Sequence, residues 1–97
     1  MKRYNRKRKL TKEEVTFIMR VAQMPCIVTG QSDIQIHHIT ECGRRLGNYY
    51  ILPLSVETHR HISRIPFAEQ IELCKKVYEK LGLKFIEPPS KVVRRKI

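Results

Sequence analysis

The sequence predicts a small α+β domain, and three observations carry that reading. A capped amphipathic stretch follows a basic N-terminus, β-branched residues alternate with polar ones through the middle, and a second apolar stretch at steps of three and four lies near the end. At 97 residues the chain has room for one core and not for two. Hydrophobic residues make up 41% and charged ones 30%, enough apolar material to fold and too much for a low-complexity chain.

Lys2, Arg3, Arg6, Lys7, Arg8 and Lys9 make six of the first nine residues cationic. Such a density repels itself and buries nothing, so residues 1–10 are expected to form a disordered arm whose use is phosphate contact. Thr11-Lys12-Glu13-Glu14 has the spacing of a capping box, and Val15, Ile18, Met19 and Ala22 follow at helical intervals. Together they predict a helix over 12–23, ended by Pro25.

Residues 26–29 read as a short β-branched strand, 30–33 as a turn and 34–39 as an alternating strand, so the two strands are expected to pair as a hairpin. Gly43 and Gly47 bracket Arg44-Arg45-Leu46 as a loop. Tyr49–Leu52 is β-prone, and Pro53 is expected to stop any central pairing. Ser55 would cap a short helix carrying His59. Phe67, Ile71, Cys74, Val77, Tyr78 and Leu81 mark a helix over about 66–82, with Pro66 at its start and Gly82 at its stop. Residues 87–97 then form a second basic tail with Lys91, Arg94, Arg95 and Lys96, leaving 11–86 as the domain.

Twenty Lys and Arg against nine Asp and Glu give a formal charge of +11, which favours a polyanionic partner, nucleic acid first. No run approaches the roughly 18 apolar residues of a membrane span, and the N-terminus leads into a charged helix rather than an apolar signal core. No membrane partner is expected, and a cytoplasmic location is. Cys26, Cys42 and Cys74 are odd in number and widely spaced, unlike a disulfide framework. Cys42 and Cys74 are read as small buried or half-buried hydrophobes, and Cys26 as core or as the remnant of a metal knuckle.

All four histidines fall in two pairs, His37-His38 and His59-x-His61. Imidazole titrates near neutrality and binds transition metals through either ring nitrogen. Successive strand residues point to opposite faces, so His37 and His38 must have different roles: one can ligate while the other activates a water. Two positions apart on a helix diverge by about 200°, so His59 and His61 are not expected to share one metal.

The run Cys26-x-x-x-Gly30, Ile36-His37-His38-Ile39, Gly43-Arg44-Arg45-Leu46-Gly47-Asn48-Tyr49, Ile51-Leu52-Pro53-Leu54 and Thr58-His59-Arg60 resembles the HNH, or ββα-metal (His-Me finger), endonucleases. Among them it is most similar to the phage recombination-enhancement nucleases, which depend on a recombinase. The likeness covers about residues 26–82, with the ββα part at about 26–64. It implies a treble-clef-related ββα-metal fold and a metal-dependent endodeoxyribonuclease acting in phage recombination or replication, in the host cytoplasm. His37 matches the first-strand metal ligand, His38 the general base, His59 the ligand on the motif's helix, and Asn48 the asparagine that steadies the loop around the base. The implied cofactor is a divalent ion, Mg or Mn for catalysis, or Zn, with no organic cofactor. The implied partners are single- or double-stranded DNA and a recombinase filament, with Arg44, Arg45 and Arg60 holding phosphates beside the scissile one.

The sequence departs from the pattern in two respects. Ser63 stands where the helix usually supplies a second ligand, so Ser63 through a water, or His61, would complete the shell. Thr29 and Ser55 stand where relatives carry further cysteines of a structural zinc knuckle. A protein that keeps the HNH fold and binds DNA as an inactive recombination accessory is therefore the alternative reading. Tyr49 and Tyr50 are read as base-stacking or packing residues, at least one of them packing.

Overall fold

The computed structural model describes residues 9–88 and has an α+β architecture of three α-helices and two small antiparallel sheets. The residues called as a disordered arm (1–10) and a basic tail (87–97) lie largely outside the described residues, Lys9, Leu10, Glu87 and Pro88 excepted.

Helix α1 (Lys12–Ala22) begins at the predicted capping box. Thr11 Oγ1 accepts from Glu14 N at 3.0 Å, and Glu14 Oε1 accepts from Thr11 N at 2.9 Å. The face it buries differs from the expected one. Glu14, Phe17 and Val21 are buried, whereas Val15 and Met19 are 39% and 57% exposed. Phe17 decides the orientation, because its ring finds Tyr49 at 5.2 Å and Tyr78 at 5.4 Å.

Residues 26–29 are not a strand. They form a tight turn in which Gly30 N donates to Cys26 O and Cys26 N to Gln31 O, with Gly30 at a φ of 81°. The expected hairpin with 34–39 is therefore absent. Strand β1 (Ile34–His38) pairs instead with β4 (Ile51–Ser55), in a register that sets Ile36 opposite Pro53 and His37 opposite Leu52. The turn docks on the outer edge of β4 through Ile27 N to Pro53 O at 2.9 Å.

Pro53 does not stop β4. Ile39 N donates to Tyr50 O, so hydrogen-bonded pairs alternate from 39/50 and Pro53 falls in a non-bonded pair. Its missing N–H costs the ladder nothing.

Between β1 and β4, residues 40–45 fold back on themselves. Strands β2 (Thr40–Glu41) and β3 (Arg44–Arg45) form a hairpin, so Arg44 and Arg45 are strand residues and not the expected loop. Its turn is Cys42-Gly43 with φ of 52° and 79°, both left-handed, as the twist of a two-residue hairpin demands. Cys42 is consequently exposed, contrary to its reading as a buried hydrophobe.

Strand β4 is buried along its whole length, with α1 and α3 both packed against it. It leads without a break into α2 (Val56–Arg60), capped by Ser55 Oγ accepting from Thr58 N at 3.2 Å. A 3-10 turn (Ile62–Arg64) follows. Helix α3 (Phe67–Leu81) has Pro66 at its start and stops at Gly82 in the left-handed region, with Leu83 N returning to Tyr78 O. Phe17, Val21, Ile39, Ile51, Leu52, Leu54, Cys74, Val77 and Tyr78 fill the core.

Candidate functional site

The pairing of β1 with β4 determines where the histidines meet. Gln35 and His37 are two apart on β1 and share a face. Helix α2 leaves the end of β4, the strand beside β1, so His59 comes to lie over that same face. The rings of His37 and His59 stand 5.2 Å apart between centroids, edge to face at 63°. Carboxamides flank the pair: His59 Nδ1 lies 2.7 Å from Gln35 Oε1, and His37 Nε2 lies 3.0 Å from Gln70 Oε1 on α3.

His38 points to the other face, as strand geometry requires. Leu46 N donates to Ile39 O at 3.0 Å, which folds the segment after the β2–β3 hairpin back along β1. Asn48 is thereby hydrogen-bonded to the His38 side chain, and the Arg45 guanidinium lies close enough to act on its charge. Burial first, then Arg45 and His37, pull the His38 pKa below 6.5 against the opposing bond to Asn48. His37 is also lowered, by burial first and by His59, while Gln70 opposes the shift. Both rings are therefore neutral at pH 7, with lone pairs for a proton or a metal.

The donor set fits a divalent ion in part. His37 and His59 each commit one nitrogen to a carboxamide and keep the other for a ligand, the arrangement in which a histidine ligand is held by a hydrogen bond behind it. Two imidazoles are half of a tetrahedral shell, so water and phosphate oxygens would fill the rest. Among the described residues no group of three His, Cys, Asp or Glu could hold a metal ion.

His61 is drawn the other way, with Nε2 3.3 Å from Glu57 Oε2. Ser63 is exposed in the 3-10 turn. Helix α2 ends at Arg60, so Ser63 does not continue the helical face of His59.

Arg44 and Arg45 are exposed on β3, and Arg60 is exposed with its Nη1 3.5 Å from Glu57 Oε1. Lys9 is exposed, whereas Lys2, Arg3, Arg6, Lys7, Arg8, Arg94 and Arg95 lie outside the described residues. Both tyrosines are packing residues. Tyr49 packs its ring at a tilt against Phe17 and its carbonyl accepts from the Tyr78 hydroxyl at 2.6 Å, while Tyr50 meets Phe85 and donates to Ile86 O at 2.8 Å.

Cys26 lies buried in its turn, where Thr29 N donates to Sγ at 3.4 Å. Burial raises the thiol pKa, but bonds from Thr29 and from the Ser55 and Val28 amides outweigh it and bring the value down to about 6. Thr29 and Ser55 thus both hydrogen-bond to the sulfur of Cys26. Gln35 and Gln70 carried no signal in the sequence, since an exposed-looking glutamine acquires a role only from what the fold sets beside it. Compared with known proteins, the chain matches no family model, no curated protein and no solved structure.

Proposed function

We propose that this protein is a DNA endonuclease of the ββα-metal kind, using a divalent cation to hydrolyse phosphodiester bonds. One observation carries the reading: a histidine pair on one face of β1 and, on the other face, a neutral histidine hydrogen-bonded to an asparagine. His37 and His59 are the residues that would hold the cation, which when bound supplies charge stabilisation to the phosphate and its leaving oxygen. His38 takes the proton from the attacking water, and its depressed pKa keeps it unprotonated for that task. Asn48 holds the ring in its working orientation. Arg45, beside His38, and Arg44 and Arg60 bind phosphates flanking the cut. Phage recombination or replication, with DNA in a recombinase filament, is the setting we infer from the sequence resemblance.

A second reading has its own observation. Ser63 is exposed and off the face of His59, so the protein contributes only two imidazoles. This favours a DNA-binding accessory that retains the fold without cutting.

Incubating purified protein with single-stranded and supercoiled DNA, in Mg²⁺, Mn²⁺ or Zn²⁺ against EDTA, separates the two. Cutting that needs metal and disappears in His38→Ala supports the nuclease. Tight, salt-sensitive binding with no cutting in any metal supports the accessory.

A further inference from the structure

We propose that the carboxamides Gln35 and Gln70 set opposite tautomers in the histidine pair, His37 with its proton on Nε2 and His59 with its proton on Nδ1. The pair then presents one Nδ1 and one Nε2 lone pair to a divalent cation. The inference deepens the metal-site reading and rests on it for its purpose, though not for its geometry.

The Gln70 end is determined by a group that has no choice. Gln70 Nε2 donates to the Ile65 carbonyl at 2.8 Å, and a carbonyl only accepts. The other atom of the carboxamide, Oε1, must then be the one 3.0 Å from His37 Nε2. Since Oε1 also only accepts, His37 Nε2 carries the proton. Ile65 directly precedes Pro66, the start of α3, so the first turn of that helix holds the amide in place.

At the other ring, Gln35 Oε1 is the carboxamide atom that faces His59 Nδ1, at 2.7 Å, and in this orientation of the amide Nδ1 is the donor. A neutral imidazole in water prefers its proton on Nε2, so His59 is held against its solution preference. That reversal leaves the lone pair on Nε2.

The choice of amides over carboxylates follows from the substrate. A carboxylate behind each ring would orient it equally well but would place negative charge where a polyanion must dock. A carboxamide orients without charge. Gln35 and Gln70 are positioning residues, acting only through the histidines.

The tautomers can be read on the full chain without metal or DNA, by long-range proton–nitrogen correlation of the imidazoles well above pH 6.5. The expected spectrum has a protonated Nε2 in His37 and a protonated Nδ1 in His59. Gln35→Leu returns His59 to the Nε2-protonated form, and Gln35→Glu, which still accepts, keeps it on Nδ1. Gln70→Leu weakens Co²⁺ binding, followed by its visible absorption, by about 10- to 100-fold, and Gln70→Glu, which still accepts from His37 but loses the bond to the Ile65 carbonyl, restores only part of it. Gln35 is exposed, so its variants retain the wild-type backbone amide spectrum. The same tautomer in both rings, or a His59 spectrum unmoved in Gln35→Leu, overturns the assignment whatever a cleavage assay shows. The expected tautomers in a protein that cuts nothing would instead overturn the nuclease reading alone.

Discussion

On the nuclease reading, His38 and Asn48 make separable contributions that kinetics can resolve. A general base is worth about 10²- to 10⁴-fold in rate, so His38→Ala should lower cleavage by that much while DNA affinity changes little. Equal loss of binding and cutting would remove His38 from the chemistry. Asn48→Ala should cost less, because the base remains and only its orientation is lost. The pH profile follows from the environment of His38. Burial and Arg45 hold its pKa below 6.5, so the basic form persists into mildly acidic solution and the rate should fall only beneath 6.5. Replacing Arg45 by Gln removes one of the depressing charges and should move that fall to higher pH. An unchanged profile in Arg45→Gln would mean that the guanidinium does not reach the base in solution.

Helix α1 offers a direct test of how it is oriented. Phe17 and Val21 are 5% and 0% exposed, so Phe17→Ala should destabilise by about 3–5 kcal/mol. Val15→Ser and Met19→Ser, on the open side, should stay within about 0.5 kcal/mol of wild type in urea unfolding. Large losses at Val15 or Met19 would put the helix the other way round. Periodicity alone pointed to the Val15 and Met19 stripe, because Val, Ile, Met and Ala at steps of three and four satisfy the rule as well as Phe17 and Val21 do. The aromatic partners of Phe17 come from residues 49 and 78, which no local pattern reveals. The absence of a hairpin between 26–29 and β1 has the same origin. Ile27 and Val28 are β-prone, but β1 finds its partner across a twelve-residue connection that contains a hairpin of its own. The capping box, the Ser55 cap and each end of the Pro66-to-Gly82 helix were readable because each is decided by residues within about one turn of it. The opposite facing of His37 and His38 was readable for a related reason, since the period of two in a strand separates them whatever the strand pairs with. Gln70 lies 33 residues from its histidine, and nothing short of the fold could connect them.

The charge of the molecule and its buried groups together dictate how it responds to solution conditions. With a formal charge of +11, DNA affinity should fall steeply with salt, and deleting residues 1–9, which removes six cations, should weaken binding to all sequences alike and flatten the salt slope. A slope that does not change would take those residues out of the interface. Stability should vary with pH through two sets of groups shifted in opposite directions. His37 and His38 titrate below 6.5 in the folded chain, and Cys26 is lowered from 9.0 to about 6. As pH falls, the unfolded chain takes up each of these protons first. The contribution of Cys26 is therefore complete above pH 9 and lost on the way down to about 6, and that of the histidines is lost below 6.5. Cys74 and Tyr78 act at the other end. Burial pushes the Cys74 thiol up to about 12 and raises the Tyr78 phenol above its ordinary 10, so the unfolded chain releases those protons first and stability declines above pH 9. Self-repulsion of the cations adds to the loss in acid. The urea midpoint should accordingly rise from pH 6 to a maximum near pH 9 and then fall. Cys26→Ser, which leaves the turn its hydrogen-bond acceptor but not its thiolate, should flatten the rise between 6 and 9 and leave the alkaline decline intact. A rise of full size in Cys26→Ser would place its origin in the repulsion between cations rather than in the amides around one sulfur.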